Sequence, residues 1–367
     1  MTESTLLYQL ALSQIPMVGS VLAKNLVGYC GSVEAIFSES LNGLKKIPGI
    51  GEAIAKSVYN FKDFEPLQKE VEFISRHHIK THFFTEKTYP YKLKQIADAP
   101  ILLFQKGDFA DFENRSLAIV GTRKCSAFGR DITHQIVADL KTYNPTIYSG
   151  LAYGVDAFAH KAAVNNNLKT IGVLAHGLDR IYPATHSNLA NEMIENGGAL
   201  ITEYKSETNP DRENFPTRNR IVAGLVDAVL VVETAIKGGS MITANLAFGY
   251  DRDVFAIPNR PGDDKTAGCN YLIKNNKATL VESAADIAFA LGWDIETKKT
   301  TKQTTLFVEL TTDEQIIVDS LKTNGVLSID SLSNRTDFSA SKLAFLLLEL
   351  EFKNVVRNLP GKQFELA

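Results

Sequence analysis

The sequence predicts an α/β protein with a central doubly wound, Rossmann-like, mostly parallel sheet, an N-terminal helical domain of helix-hairpin-helix or SAM-like type, and a C-terminal winged-helix domain. Three observations predict it. Six short β-rich apolar runs, at 116–121, 145–149, 170–175, 199–203, 227–232 and 253–257, recur at intervals of 25 to 29 residues with helical pattern between them. That is the rhythm of βαβ units around a buried parallel sheet. Before these runs stands a Pro-Gly repeat in helical sequence. After them, beyond a polar tract, come three helical periods and a hairpin.

Residues 1–65 hold the repeat. Ile15-Pro16-Met17-Val18-Gly19, with Ala23 following, returns 32 residues later as Ile47-Pro48-Gly49-Ile50-Gly51, with Ala55 following. Each copy sets Pro and Gly in a tight turn before a helix start whose amides can face a DNA phosphate. The same pattern also fits compact hairpins that only pack on their neighbour, and the second copy is the better match because Met17 stands where the motif has Gly. Residues 66–112 read as a connecting segment, with a helix over Leu67–His77 and strands at Ile79–Phe84 and Leu102–Gln105. The α/β domain takes 113–295. The tract 296–311 is polar and β-branched without helical period, and reads as a linker. In 312–367, helical periods over 312–322, 328–335 and 339–352 precede Val355-Val356-Arg357 and Phe364-Glu365-Leu366, which flank Pro360-Gly361 as a wing.

Composition bounds the function. With 44% of 367 residues hydrophobic and 22% charged, the chain is long enough for two or three domains and is not disordered throughout. No apolar run nears the roughly 20 residues that span a bilayer, and Met1-Thr2-Glu3-Ser4-Thr5 lacks the basic start of a signal peptide, so a cytoplasmic location without membrane contact is expected. Cys30, Cys125 and Cys269 are far apart and form no CxxC pair, which suggests reduced thiols and neither a zinc site nor any other metal centre. The net charge is -3, so phosphate affinity has to come from local clusters.

Ligands of doubly wound sheets sit beyond the carboxyl ends of the strands. After the first run comes Gly121-Thr122-Arg123-Lys124-Cys125-Ser126, a tight turn into a helix that presents amides to an anion, with Arg123 as a bidentate phosphate fork. It is neither GxGxxG nor a Walker A loop, and no cofactor is implied. After the second come Ser149-Gly150 and Gly154, with Asp156 and His160 read as a cap and a helix-face residue. His176-Gly177-Leu178-Asp179 and Glu203-Tyr204 follow the third and fourth. No nucleophile elbow accompanies these groups, so catalysis is not the preferred reading. The densest cationic stretch, Arg212-Glu213-Asn214-Phe215-Pro216-Thr217-Arg218-Asn219-Arg220, combines guanidinium groups with a ring that can stack a base, the chemistry of single-strand binding. A second Gly-rich turn, Lys237-Gly238-Gly239-Ser240, precedes another helix, and together the two turns form an extended phosphate track.

These motifs, in this order, resemble the bacterial DNA-processing protein A family, DprA or Smf: Gly121-Thr122-Arg123 with Ser126 and Gly129, Ser149-Gly150 with Gly154 and Asp156, Gly177-Leu178-Asp179 with Tyr182-Pro183, Phe215-Pro216 with Arg218-Asn219-Arg220, and Gly239-Ser240 with Thr243-Ala244. The resemblance covers about 110–290 in detail, and the flanking domains fit it. It implies a non-enzymatic recombination mediator that binds incoming single-stranded DNA in natural transformation, forms a homodimer through the α/β domain and loads RecA. It implies that Gly121, Thr122, Arg123, Ser126, Arg212, Phe215, Arg218, Arg220, Lys237, Gly239 and Ser240 line the DNA path. Lys237 stands where such proteins often have Ser. The last helix of the C-terminal domain carries Lys342 but also Glu349 and Glu351, a poor major-groove reader, so that domain is expected to meet proteins or regulate.

The rival is an enzyme similar to the nucleotide phosphoribohydrolases, which set a catalytic Glu after the Gly-rich turn. Here Met241-Ile242-Thr243-Ala244-Asn245 follow it, without a carboxylate. A free-nucleotide sensor is the third reading, and it differs from the DNA reading in predicting affinity independent of strand length.

Overall fold

Five runs are buried along their whole length in the computed structural model: β3 (Ser116–Val120), β4 (Thr146–Ser149), β5 (Thr170–Val173), β6 (Ala199–Thr202) and β7 (Ala228–Val231). Strands covered by helices on both faces have no wet side, so their sequences run continuously apolar instead of alternating. With β8 (Asp253–Ala256) and β9 (Thr279–Leu280) they form parallel pairs in the order β6-β5-β4-β3-β7-β8-β9. The structure describes residues 3–293, 310–353, 355–359 and 363–366. They fall into two compact units, 1–295 and 296–367.

The chain steps outward from β3 through β4 and β5 to β6, then returns to lay β7 against the other side of β3. Val120 pairs with Val231 across this switch, so the segments leaving β3 and β7 emerge side by side. That crevice is where an open α/β sheet holds its ligand.

The segment 66–112 is more than a connector. Its β1 (Lys80–Phe83) and β2 (Leu102–Lys106) extend the sheet as antiparallel strands beyond β6. The helices before it, and its own helix Glu65–Arg76, share one apolar core with the sheet, in which Leu10, Leu26, Ile36 and Val71 join Leu102, Leu174, Met193 and Leu200. Met17 (φ 69°) and Gly49 (φ 82°), at equivalent repeat positions, both adopt the left-handed conformation. The helix start of the first copy, Gly19-Ser20, lines a small 260 Å³ cavity with Glu203 and Arg220, facing the α/β body. In the second copy Glu52 opens the helix Glu52–Tyr59 and is held by Lys45 at 3.3 Å and Lys56 at 3.0 Å.

The second unit has helices Thr312–Asn324, Ile329–Thr336 and Ala340–Phe352, each started by a Thr or Ser cap, and a sheet in which β10 (Leu327–Ser328) and β11 (Val356–Leu359) flank β12 (Gln363–Leu366). This is the winged-helix arrangement. Pro360-Gly361 and the expected linker, apart from its last two residues, lie outside the described residues. Among the described residues no helix is long and apolar enough to cross a membrane.

Candidate nucleic-acid interface

A cavity of about 560 Å³ opens at the β3/β7 switch. The loop after β3 is clamped from both sides: Thr122 N donates to Glu233 O at 2.7 Å, and Val155 N donates to Thr122 O at 3.3 Å. Gly154 makes the second contact possible, since its φ is +78° and a Cβ there would come within 2.2 Å of Thr122 O.

The helix Ala127–Asp139 does not offer its first amides freely, as the sequence suggested. Ser126 caps it, its Oγ accepting from Gly129 N at 3.0 Å. Buried Glu233 then takes the Ser126 amide at 2.9 Å and receives a short bond from the Ser126 hydroxyl. A carboxylate of the chain itself therefore neutralises this helix end. The helix Gly239–Gly249 is different. Its cap, Gly238, has no side chain to bond the first turn, no acidic residue stands there, and the buried Ser240 Oγ beside the cavity has no partner. Its unsatisfied amides and hydroxyl make it the better anion end.

Arg218 forms the floor. It is 4% exposed, donates from Nη1 to Val173 O, and lies so close to Gly150 that a Cβ there would meet the guanidinium at 2.2 Å. Burial pulls it down to about 10, against the opposing pull of Asp156, and it stays charged at neutral pH. Burial pushes the Asp156 carboxyl above its usual range, while Arg218 and the amides of Gly150 (3.1 Å) and Ala152 (3.4 Å) favour the anion. Asp156 thus ties down the loop before its helix instead of capping the helix end. Arg123 is exposed at the mouth, its guanidinium 5.1 Å from the centre of the Phe215 ring.

Of the sequence-derived residues, Gly121, Thr122, Arg123, Ser126, Phe215, Arg218, Gly239 and Ser240 line this cavity together. Arg212, Arg220 and Lys237 do not. Arg220 bonds Glu203 and Asp98 O and lines the other, smaller cavity. The reason is helical geometry: the helix Asn214–Gly224 starts before both arginines, and residues two apart on a helix point to nearly opposite sides. Arg212 and Lys237 are exposed outside the lining.

Lys124 and Asn219, quoted in their runs without a role of their own, also line the cavity, as do Asp263 and Lys265, which the sequence reading passed over. Lys265 lies beyond β8, and the strand-end rule applied there too would have found it. His160 is buried with Nδ1 2.6 Å from Thr170 Oγ1, and burial draws it down to about 3, a packing role. Burial and Glu233 push the Cys125 thiol up to about 12, far from a reactive thiolate. Among the described residues no group of His, Cys, Asp and Glu is placed to hold a metal.

Residues 80–292 match the family model of DNA recombination-mediator protein A, 7–69 a helix-hairpin-helix motif and 302–362 the DprA winged helix domain. Protein Smf of Escherichia coli is 35% identical over 276 residues, 74% of each chain. DNA processing protein DprA of Streptococcus pneumoniae is 41% identical over 199 residues, 54% of this chain and 70% of that one. The solved structure of DNA processing protein A from Streptococcus pneumoniae matches with a TM-score of 0.66 and 32% identity, over 79% of this chain and 98% of that one. That of DNA processing protein A from Helicobacter pylori, described for its single-stranded DNA binding mode, gives 0.54 and 28%, over 60% and 98%.

Proposed function

The chain belongs to the DNA recombination-mediator protein A family, and from that premise we propose that it binds single-stranded DNA in the β3/β7 cavity and hands the strand to a RecA-type recombinase during uptake of DNA. The observation that carries the reading is the charge layout of the cavity. Arg123, Lys124, Arg218 and Lys265 line it, while the three carboxylates there, Asp156, Glu233 and Asp263, accept from the chain's own amides, with the Ser126 hydroxyl also on Glu233 and the Lys265 amide 3.0 Å from Asp263. A site with four cations and its carboxylates already occupied suits phosphates. It leaves no free carboxylate beside the Gly-rich turn for the chemistry of a phosphoribohydrolase, and supports a binding protein over a catalyst.

The strand's phosphates meet Arg123 and Lys124 at the mouth and the open helix end at Gly239-Ser240 deeper in, with Arg218 supplying positive potential from the floor. Arg212 and Lys237, exposed outside the cavity, extend the path to longer strands. Homodimerisation is assigned to the β9 edge of the α/β unit, where Leu280 is 46% exposed and Tyr271 of the preceding helix 42%. The winged-helix unit serves contacts with proteins, since its last helix exposes Phe345 and Phe352 beside Glu351 in place of a basic face.

The test compares single-stranded DNA, duplex and adenosine monophosphate as ligands in fluorescence-anisotropy titrations, followed by RecA filament assembly on DNA pre-coated with a single-strand-binding protein. Preference for single strands, with affinity rising with length, and faster filament nucleation are expected. Binding of the mononucleotide alone would remove the reading.

A further inference from the structure

Phe215 was the ring expected to stack a base, but one of its faces already carries the Arg123 guanidinium. Its neighbour on the protein side is Tyr182, with ring centres 6.1 Å apart. From Tyr182 the chain leads to His186, whose ring meets that of Tyr153 at 5.0 Å, nearly edge-on, and whose Nδ1 lies 2.9 Å from Leu151 O. The Thr185 hydroxyl donates to the Tyr153 phenol at 3.2 Å. Tyr153 directly follows Ala152, which lines the cavity. Tyr182, on the loop after β5, thus packs on Phe215 at the cavity wall, and Tyr153, on the loop after β4, stands beside lining residue Ala152 and is tied to the loop after β5 through His186 and Thr185.

Both tyrosines are open although each has a ring neighbour: Tyr182 is 45% exposed and Tyr153 48%. Apolar ring surface left in water beside a cationic cavity offers what a single strand needs next to its phosphate contacts. A flat face held by its edges stacks any base and loses little conformational freedom in doing so.

We propose that Tyr182 and Tyr153 are base-stacking platforms that carry a single strand out of the β3/β7 cavity and across the loops following β4 and β5. The proposal rests on the single-stranded-DNA reading above. It sets a direction for the strand path that the cavity alone does not. Phosphates are held at Arg123 and Gly239-Ser240, and the bases beyond them lie on Tyr182 and Tyr153.

The test uses the full chain, its Tyr182→Leu and Tyr153→Leu variants, and oligothymidylates from a dinucleotide upward, read by anisotropy. A third set of probes carries the same backbone with abasic positions. Each variant is expected to lose roughly tenfold in affinity for long oligonucleotides, to match the wild type on the dinucleotide and on abasic strands, and to keep its salt slope. Tyr182→Trp and Tyr153→Trp restore binding, and 2-aminopurine placed beyond the cavity is quenched by the wild type and not by the Leu variants. Variants that equal the wild type on long strands overturn the proposal, as does an equal loss on abasic strands. In both cases wild-type binding of single strands would leave the cavity reading standing. A wild type that binds no oligonucleotide removes both.

Discussion

Glu233 and Ser126 close the first turn of the helix beyond β3: the carboxylate of one accepts from both the amide and the hydroxyl of the other. An acidic side chain is thus buried in the wall of a cavity that four cations, Arg123, Lys124, Arg218 and Lys265, also line. Its role there is structural, and its charge works against phosphate. Glu233→Gln keeps an acceptor for the amide but removes that charge. Stability is expected to fall by about 1 kcal/mol, the scale of a weakened helix N-terminus, while affinity for single-stranded DNA rises by roughly tenfold as the repulsion disappears. Urea denaturation and anisotropy measure the two separately. Weaker binding by a variant with wild-type stability would mean that Glu233 helps to hold the ligand.

Arg123 and Arg220 looked alike in the sequence and differ in the fold. Arg123 is exposed at the mouth, so Arg123→Ala is expected to weaken binding and to reduce the salt slope by about 0.7, the value for one lost single-strand phosphate contact, with little effect on stability. Arg220 is paired with Glu203 away from the cavity, its side chain 11% exposed and that of Glu203 16%. Arg220→Met leaves that carboxylate buried and unpaired, and is expected to cost about 3 kcal/mol of stability with the salt slope unchanged. A reduced slope in Arg220→Met would return that residue to the DNA path.

The contrast between these arginines marks how far the sequence could be read. The sheet was legible because a strand covered on both faces must be apolar throughout, and runs such as Leu117-Ala118-Ile119-Val120 have few other uses. The glycine turns at 121 and 239 were legible because the ends of parallel strands are where such turns matter. The helix over Asn214–Gly224 was not, since Glu213 at its cap makes no side-chain bond and Pro216 sits in the first turn, where its missing amide costs nothing. Read as one cationic stretch, Arg218 and Arg220 were given the same ligand, whereas the helix turns them to different sides. The joining of β1 and β2 to β6 was equally hidden, because Phe104 pairs with Thr202 across nearly a hundred residues of sequence and nothing local announces it. The bond of Glu233 to Ser126 is again a contact that only the folded sheet creates.

Met17 provides a test of the repeat. It is 64% exposed and holds φ at 69°, the conformation that Gly49 adopts in the second copy at 82°. A side chain in the left-handed region costs roughly 1–2 kcal/mol, while glycine adds entropy to the unfolded chain worth about half of that. Met17→Gly is therefore expected to stabilise the N-terminal unit by about 0.5–1 kcal/mol, seen as a higher urea midpoint with an unchanged m-value. Met17→Val, β-branched at the same position, is expected to destabilise it. Equal midpoints for all three proteins would show that the turn relaxes.

His160 gives the fold a dependence on pH. The folded chain keeps it neutral down to about pH 3, whereas an unfolded chain protonates its imidazole near 6.5. Between those values the unfolded state binds one more proton. The stability that His160 contributes is therefore fully present above about pH 6.5 and is lost as pH falls, by about 1.4 kcal/mol per pH unit. Burial lowers His82 and His176 as well, which adds to this loss. Asp156 acts in the opposite sense, because its raised carboxyl takes up a proton in the folded state first. The difference between proteins isolates the histidine better than any single slope. Urea titrations of wild type and His160→Asn at pH 7.0, 6.0 and 5.0, values spanning the roughly 6.5 reference, are expected to show a shallower loss in the variant by about one proton. Parallel pH profiles would place the uptake at the other histidines.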